Sequence, residues 1–133
     1  QRVDASGAVH LVLRTSWVYA ESGRNFLRTM LKLAETRDEL RVVDDQIGAP
    51  TTAEFLASTV AALLRDACRQ EDWPTYLAER TGVYHLSMAG ETSWYGFARA
   101  IFERAATCLP GTKSPRLVPI TTADYPTPAR RPA

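Results

Sequence analysis

The stretch LVLRTSWVYAESGRNF, residues 11–26, contains the pattern that indicates the fold most directly. Its first part belongs to a near-continuous apolar run, which predicts a β-strand at His10–Thr15 covered on both faces of a sheet. A loop follows at once and carries Thr15, Ser16 and Trp17. Because ligands of open α/β sheets bind beyond the carboxyl ends of the strands, the stretch predicts a buried strand with a ligand site at its end.

Predicted helices and strands alternate along the rest of the first half. Apolar residues at helical spacing predict a helix at about Asn25–Arg37, and the run LRVVD predicts a strand at Leu40–Asp44. The longest predicted helix covers Thr51–Gln70. At its start, Thr51 and Glu54 match the T-x-x-E pattern of a capping box.

The second half continues this alternation. The polar segment Glu71–Thr81, which contains a proline, predicts a connection, and GVYHLS predicts a strand at Gly82–Ser87. A helix is predicted from Thr92 onward and a last strand at Arg116–Thr121, followed by an irregular, proline-rich stretch, Thr122–Ala133. Alternating strands and helices predict an α/β sheet. The first strand needs sheet neighbours on both sides, so we expect the chain to be part of a larger protein.

Composition argues against several classes of function. The 133 residues suffice for one domain with a hydrophobic core. The net charge of +1, from 16 basic and 15 acidic residues, gives no electrostatic case for binding nucleic acid or an anionic membrane. No apolar run is long enough to span a bilayer. We expect Cys68 and Cys108 to be reduced thiols of a cytoplasmic protein, with Cys68 on the apolar face of its helix.

Two motifs of nicotinamide-dependent enzymes are absent from the sequence. The seven glycines form no G-x-G-x-x-G, the fingerprint of dinucleotide binding. The two lysines, Lys32 and Lys113, are preceded four positions earlier by Arg28 and Leu109, so no Tyr-x-x-x-Lys pair exists.

The loop RTSWVY, residues 14–19, is the first candidate site. The hydroxyls of Thr15 and Ser16 can donate to a carbonyl or a phosphate, and Trp17 offers a flat apolar wall for a sugar or a base. Alternatively, Trp17 closes the core while Thr15 and Ser16 form a turn. The residues alone favour neither interpretation.

The second candidate site is VVDDQIGAPT, residues 42–51. The carboxylates of Asp44 and Asp45 could bind a metal or act as acid and base, but such a pair more often caps a turn and stays solvated. Gln46 is the better ligand candidate, because an amide both donates and accepts hydrogen bonds. Gly48 indicates a close backbone approach or a positive φ.

Two further groups could have either a functional or a structural role. In AGETSWYGF, residues 89–97, the side chains of Trp94 and Tyr95 are favoured as packing residues of an amphipathic helix. The pair Arg130–Arg131 could meet a pyrophosphate or lie on a solvated surface.

In combination, the motifs resemble those of a known family. The pieces R-T-S-W-V-Y, the N-F that opens the next helix, D-D-Q-x-G-x-P-T, G-x-Y-H-L-S and S-W-Y-x-F-A occur in order. With them the chain resembles the dTDP-4-dehydrorhamnose reductases, which are extended short-chain dehydrogenases. The resemblance implies that residues 1–133 are a single C-terminal fragment. Its fold would be the end of a Rossmann-like sheet plus a small mixed α/β substrate domain.

The resemblance also implies a division of labour. NADPH would be bound mainly by an N-terminal part, where a Tyr protonates the sugar oxygen and a Lys lowers the pKa of that Tyr. The whole protein would reduce dTDP-4-dehydro-L-rhamnose to dTDP-L-rhamnose, and it could do so as a homodimer. This chain would hold no catalytic residue and would be inactive alone.

The resemblance assigns roles to seven residues. Trp17 matches a tryptophan that contacts the sugar, and Thr15 and Ser16 match positions beside the nicotinamide, with Ser16 also near the sugar. The residues expected to line the nucleotide-sugar pocket are Arg24, Asn25 and Gln46. Glu54 matches a glutamate linked in some members to Mg²⁺ at a dimer interface, although we favour its role in the helix cap.

Two other functions remain open. A non-catalytic module with this fold would dock onto a partner enzyme, as the regulatory subunit of methionine adenosyltransferase does. A different sugar-nucleotide reductase or epimerase of the superfamily is the other alternative. Trp17 followed by the D-D-Q-x-G-x-P-T turn argues against the latter.

Overall fold

The computed structural model describes residues 3–125, so the pair Arg130–Arg131 lies outside the described residues. Helices and strands alternate in the α/β manner that the sequence predicts. The strands are β1 (Leu11–Arg14), β2 (Val18–Tyr19), β3 (Glu39–Val43), β4 (Ile47–Gly48), β5 (Thr51–Thr52), β6 (Gly82–His85), β7 (Thr92–Ser93) and β8 (Arg116–Ile120). The helices are α1 (Phe26–Ala34), α2 (Ala53–Cys68), α3 (Trp73–Ala78) and α4 (Trp94–Cys108), with short 3-10 turns at Asp4–Ser6 and Thr122–Asp124.

The hydrophobic core lies between the β3–β8 pair and helices α1 and α4. Strand β3 runs parallel to β8, with Leu40 opposite Leu117. Side chains alternate along β3 with the period of two that a strand imposes, so Leu40 and Val42 are buried while Arg41 is exposed. Ala98 of α4 is fully buried. The buried cluster is Met30, Ala34, Leu40, Val42, Phe97, Ala98, Ile101 and Phe102.

The second parallel pair, β1–β6, is much less covered. Leu11 lies opposite Gly82 and Arg14 opposite His85. On β6, Val83 is 51% exposed, and Leu64 of the neighbouring helix α2 is 57% exposed. A groove of about 250 Å³ runs between these elements, lined by Val9, His10, Leu11, Leu13, Val60, Leu63, Leu64 and Leu77. This part of the chain therefore presents an apolar surface.

Two short strand pairs hold together the segments that follow β1, β3 and β6. Strand β2 pairs in parallel with β5, and β4 pairs antiparallel with β7. In residues 3–125 the strands thus form four separate two-stranded sheets. The α/β alternation is confirmed, but the single sheet that it suggested is divided in this structure.

Three local predictions are wrong. The segment predicted as a connection contains α3, because Asp72 caps it by accepting from the backbone N–H of Thr75 and Pro74 fits its first turn. Helix α2 begins at Ala53 rather than at Thr51, and its N-cap is Thr52 rather than Thr51. Cys68, predicted on the apolar face of its helix, is exposed, as is Cys108; both are free thiols.

Thr51 has a different role from the one predicted. Its side chain is fully buried, and its hydroxyl donates to the carbonyl of Ala49 at 3.0 Å and accepts from the N–H of Met88 at 3.3 Å. Its own N–H donates to the carbonyl of Trp17 at 3.2 Å. One residue therefore joins three loops.

None of the helices in residues 3–125 has the length and apolar character needed to cross a membrane.

The cap of α2 can be tested directly. The hydroxyl of Thr52 accepts from the N–H of Phe55 at 3.1 Å, so Thr52→Ala should lower the free energy of unfolding by about 1 kcal/mol. Thr52→Ser keeps the hydroxyl and is the matched control. Urea unfolding of the two variants should show the loss only for alanine; an equal loss for serine would mean that the hydroxyl does not cap the helix.

Candidate functional site

The loop after β1 has an unusual backbone conformation. Trp17 has a φ of +46° and is the one non-glycine residue with positive φ among residues 3–125. A bulky side chain in this region costs on the order of 1–3 kcal/mol, and such residues persist where the surroundings hold them in place. The contacts around Trp17 must therefore offset the cost of this backbone conformation.

The first of these contacts is an aromatic stack. The indole of Trp17 lies on that of Trp94, with ring centroids 3.6 Å apart and planes 10° from parallel. Phe26, just after the cap of α1, packs on Trp94 at 4.6 Å, and Phe97 packs on Phe26 at 5.4 Å. Aromatic pairs of this kind contribute about 0.5–1.5 kcal/mol beyond their buried area. The stack connects the loop to the core, which confirms the packing role favoured for Trp94.

The backbone at Gly48 covers the face of the Trp17 indole that Trp94 does not cover. A methyl carbon built on Gly48 would stand 2.5 Å from Cε2 of the indole, and 2.7 and 2.8 Å from Nε1 and Cζ2. Such similar distances to three adjacent atoms place that carbon above the ring plane. Since Trp94 covers one face, Gly48 must lie against the other. The close backbone approach predicted for Gly48 is confirmed.

This arrangement corrects one form of the prediction for Trp17. Both faces of its indole are covered, so the ring is not an open flat wall for a sugar or a base. The ring packs against the core, as the alternative interpretation expected, yet it remains partly exposed. A contact between Trp17 and a substrate stays a prediction, and it would have to involve the edge of the indole.

A chain of hydrogen bonds holds Trp94. Its Nε1 donates to Oε1 of Gln46 at 3.2 Å, and Nε2 of Gln46 donates to Oγ1 of Thr122 at 3.1 Å. Oγ1 of Thr122 then donates to Oδ1 of Asp45 at 2.7 Å. The amide of Gln46, predicted to meet a ligand, therefore fixes Trp94. It keeps one N–H and one lone pair for another partner.

The two neighbouring carboxylates act as acceptors within the protein. Asp44 accepts from the hydroxyl of Ser93, the N-cap of α4, and Asp45 accepts from the N–H and hydroxyl of Thr122. The bonds from the backbone N–H and then the hydroxyl of Thr122 hold the pKa of Asp45 below its ordinary value. Within residues 3–125, no three His, Cys, Asp or Glu side chains come together as a metal site.

The other predicted site residues are more dispersed. The hydroxyl of Ser16 donates to the carbonyl of Ala49 at 3.1 Å, while Thr15 is exposed. Asn25 caps α1: its Oδ1 accepts from the N–H of Arg28, and its amide nitrogen donates to the carbonyl of Ala20. Asn25 is therefore already engaged in holding the loop. Its contact with a nucleotide-sugar stays a prediction.

Arg24 and Glu54 are not members of the aromatic stack, and they lie on different helices or their flanks. Arg24 lines a groove of about 1020 Å³ along α1, together with three further cations, Arg28, Lys32 and Lys113. Glu54 is exposed in the first turn of α2. Because the N-cap is Thr52 and not Thr51, Glu54 stands one position too early for a T-x-x-E capping box, so the predicted role of Glu54 in the cap is wrong. A role of Glu54 toward Mg²⁺ stays a prediction.

A hollow of about 720 Å³ has two members of the stack, Phe26 and Trp94, among its lining residues, together with Gln46. Arg37, Arg41 and one carboxylate, that of Glu39, also line it. Aromatic surface with a few polar and cationic groups is typical of small-molecule sites. The sequence patterns gave no reason to associate Arg37 or Arg41 with a site, because each reads as an ordinary solvated cation.

Comparison with known families identifies the chain. The family described as "RmlD substrate binding domain" matches residues 1–133, the whole chain. The chain belongs to the RmlD substrate-binding domain family. The resemblance noted from the sequence motifs is thereby confirmed.

Relatives of this RmlD substrate-binding domain are considerably longer. It is 47% identical over 133 residues to the dTDP-4-dehydrorhamnose reductase of Burkholderia thailandensis, covering 98% of this chain and 44% of that protein. It is 46% identical over 125 residues to the enzyme of the same name from Escherichia coli K12, covering 94% and 40%. The chain therefore spans about two fifths of the length of these relatives.

A solved structure agrees with the fold of this domain. The crystal structure of dTDP-4-dehydrorhamnose reductase from Bacillus anthracis, in complex with NADP, superposes with a TM-score of 0.74 at 33% sequence identity. The match covers 92% of this chain and 37% of the other. An α/β fold belonging to one part of such a reductase is thus established.

The titration of Asp45 tests the hydrogen-bond chain. Its lowered pKa means that its contribution to stability is present above the ordinary value of 3.8 and is lost as the pH falls through the lowered pKa. Thr122→Val removes the hydroxyl but keeps the backbone N–H, so the pKa of Asp45 should rise only part of the way. Carboxyl NMR titration measures this.

Asp72 provides the internal control for that titration. Its pKa is also lowered, by Thr75, which has no bond to Thr122. The Thr122→Val substitution should leave the pKa of Asp72 unchanged. An unchanged Asp45 pKa in the same spectra would contradict the bond between Thr122 and Asp45.

Proposed function

We propose that this chain is the substrate-binding part of an NADPH-dependent reductase that converts dTDP-4-dehydro-L-rhamnose to dTDP-L-rhamnose. The observation that carries the proposal is the match of 98% of this chain, at 47% identity, to 44% of a dTDP-4-dehydrorhamnose reductase. The sequence has no Tyr-x-x-x-Lys pair and no glycine fingerprint. Proton and hydride transfer therefore belong to the other part of such a protein.

The role of this chain would be to hold the nucleotide-sugar in position. Binding energy from the non-reacting parts of a substrate can be used to orient its reacting carbon, which here is the C4 carbonyl. The hollow beside Trp94 and Gln46 and the loop of Trp17 supply aromatic, amide and cationic groups in one region. These groups suit a ligand that combines a base, a pyrophosphate and a hexose.

Among residues 3–125, the two residues predicted to meet the cofactor, Thr15 and Ser16, offer few free groups. Thr15 offers an exposed hydroxyl, whereas the hydroxyl of Ser16 is engaged with Ala49. Thr15 suits a single contact to NADPH at most. The NADP found in the Bacillus anthracis reductase supports NADPH as the cofactor of the whole protein.

The exposed apolar surface supports a two-part architecture. We infer that β1, β6 and α2 pack against the part of the protein that the relatives have in addition. Leu64 of α2 is 57% exposed and borders the groove beside β1, whose other lining residues are mostly apolar. Covering that surface would complete the sheet to which β1 belongs.

A charge placed on this surface tests the architecture. In the full-length protein, Leu64→Lys should lower stability by about 1–2 kcal/mol, because it would bury a charge in place of apolar area. Ser58→Lys introduces the same charge at an exposed site of the same helix. Thermal melts should show a loss for Leu64→Lys only, and equal melts would mean that the surface stays open.

Activity is tested with two polypeptides. The full-length protein should oxidise NADPH when given dTDP-4-dehydro-L-rhamnose, and the 133-residue chain should not. The product should be identified as dTDP-L-rhamnose by chromatography against the authentic compound. Turnover by the short chain would overturn the division of labour, whereas an inactive full-length protein that co-purifies with a partner enzyme would indicate a regulatory module instead.

A further inference from the structure

Resting on the proposed function, we infer that Asp45 is a positioning residue of the candidate site, because it determines which end of the Gln46 amide faces Trp94. Asp45 acts through Thr122, whose hydroxyl bonds to the side chains of both neighbouring residues, Asp45 and Gln46. By fixing the orientation of the amide, Asp45 decides which hydrogen-bonding groups Gln46 offers to a nucleotide-sugar.

Asp45 and Thr122 come together at the carboxyl ends of two parallel core strands. Val43 at the end of β3 lies opposite Ile120 at the end of β8, and the N–H of Asp44 donates to the carbonyl of Ile120 at 2.9 Å. The carboxylate of Asp45 then accepts from the N–H of Thr122, at 2.9 Å to each oxygen, and from its hydroxyl at 2.7 Å. Three contacts from one residue therefore hold the carboxylate, although Asp45 itself is exposed to solvent.

The chain of hydrogen bonds from Trp94 to Asp45 can run in only one direction. An indole nitrogen only donates and an ionised carboxylate only accepts, whereas a hydroxyl and an amide can do both. The hydroxyl of Thr122 gives its single hydrogen to Asp45, so toward Gln46 it can only accept. Gln46 must then turn Nε2 toward Thr122 and Oε1 toward the indole of Trp94. Both ends of the chain require the same orientation of the amide.

The contribution of Asp45 is to exclude the opposite orientation. Without an anionic acceptor, the hydroxyl of Thr122 could turn its hydrogen toward Gln46, and the amide could rotate its oxygen to meet that hydrogen. The rotation would place the NH₂ group of Gln46 against the indole N–H of Trp94, so that two donors would face each other. Thr122, Gln46 and Trp94 are half-buried, so water competes for these groups less than it does at Asp45.

The orientation of the amide matters for binding because Gln46 lines the hollow beside Trp94. After its two bonds within the protein, the amide keeps one N–H on Nε2 and one lone pair on Oε1. A ligand that fits one orientation would place donor against donor in the other. An amide already fixed in a single orientation has less freedom to lose when the ligand binds.

Asp45→Asn in the full-length protein tests the orientation without any substrate. In ¹⁵N spectra, with indole peaks assigned by tryptophan-to-phenylalanine substitution, the N–H of Trp94 should shift and should exchange with water faster than in the wild type, because the amide of Gln46 can then turn. Asp124→Asn is the matched control, since it removes a carboxylate of the same turn that bonds to Thr121 instead. An unmoved Trp94 peak in Asp45→Asn, or an equal shift in Asp124→Asn, would overturn the inference.

A compensating substitution separates the direction of the chain from the loss of a charge. When Gln46→Glu is added to Asp45→Asn, both oxygens of the new carboxylate accept, so the indole of Trp94 and the hydroxyl of Thr122 are satisfied whichever way the group turns. The exchange of the Trp94 N–H should then return toward the wild-type rate. Exchange that remains as fast as in Asp45→Asn alone would contradict the role assigned to direction.

Substitutions of Thr122 test the connecting hydroxyl. Thr122→Ser keeps the hydroxyl and should leave the Trp94 peak as in the wild type, whereas Thr122→Val should reproduce the shift of Asp45→Asn. Combining Thr122→Val with Asp45→Asn should add little, because both changes interrupt the same chain. Fully additive shifts would mean that Asp45 does not act through Thr122.

Steady-state kinetics connect the orientation to the proposed function. Asp45→Asn should raise the KM for dTDP-4-dehydro-L-rhamnose roughly 3- to 10-fold and change kcat less than about twofold, because Asp45 touches no reacting atom. Asp124→Asn should leave both values unchanged. A wild-type KM for Asp45→Asn would overturn its role in binding. If the protein reduces no dTDP-sugar but the spectra behave as expected, the proposed function fails and the positioning of Gln46 by Asp45 stands.

Discussion

The hydrogen bond from the indole of Trp94 to the side chain of Gln46 connects the segment after β3 to the start of α4, the two elements that border the candidate site. Gln46 follows the core strand β3, and Trp94 begins the core helix α4, so the bond joins the strand that organises the core to the helix that covers it. Asp44 strengthens the same junction by accepting from Ser93, the cap of that helix. Because Trp17 stacks on Trp94, the loop after β1 takes its position from this junction.

Much of the fold could be predicted from local patterns. The helices around Met30 and Phe97 and the strand around Val42 carry apolar residues at a clear period, and the structure has them close to the predicted bounds. The cap of α2 was misplaced because Thr51 and Thr52 are chemically equivalent in sequence, and only the buried bonds of Thr51 distinguish them. Helix α3 was missed because its six residues are too few for a periodic pattern.

The site was predictable in its residues but not in its geometry. Ligand chemistry pointed to Trp17 and Gln46, and backbone geometry pointed to Gly48. In the structure Gly48 lies against Trp17, and Trp17 and Gln46 both contact Trp94. The sequence could not show that the amide of Gln46 bonds to Trp94, since that contact joins residues 48 positions apart. For the same reason it could not show that the faces of Trp17 are covered. Long-range contacts decide which part of a side chain remains free.

Thr51 has a consequence for the thermodynamics of recognition. Its buried hydroxyl and N–H bond to the backbone at Ala49, Met88 and Trp17, which come from three separate loops. Loops joined in this way have already lost most of their conformational entropy when the chain folds. A ligand arriving at this edge would therefore immobilise little additional backbone, and the entropic penalty of association would come mainly from the ligand's own rotatable bonds.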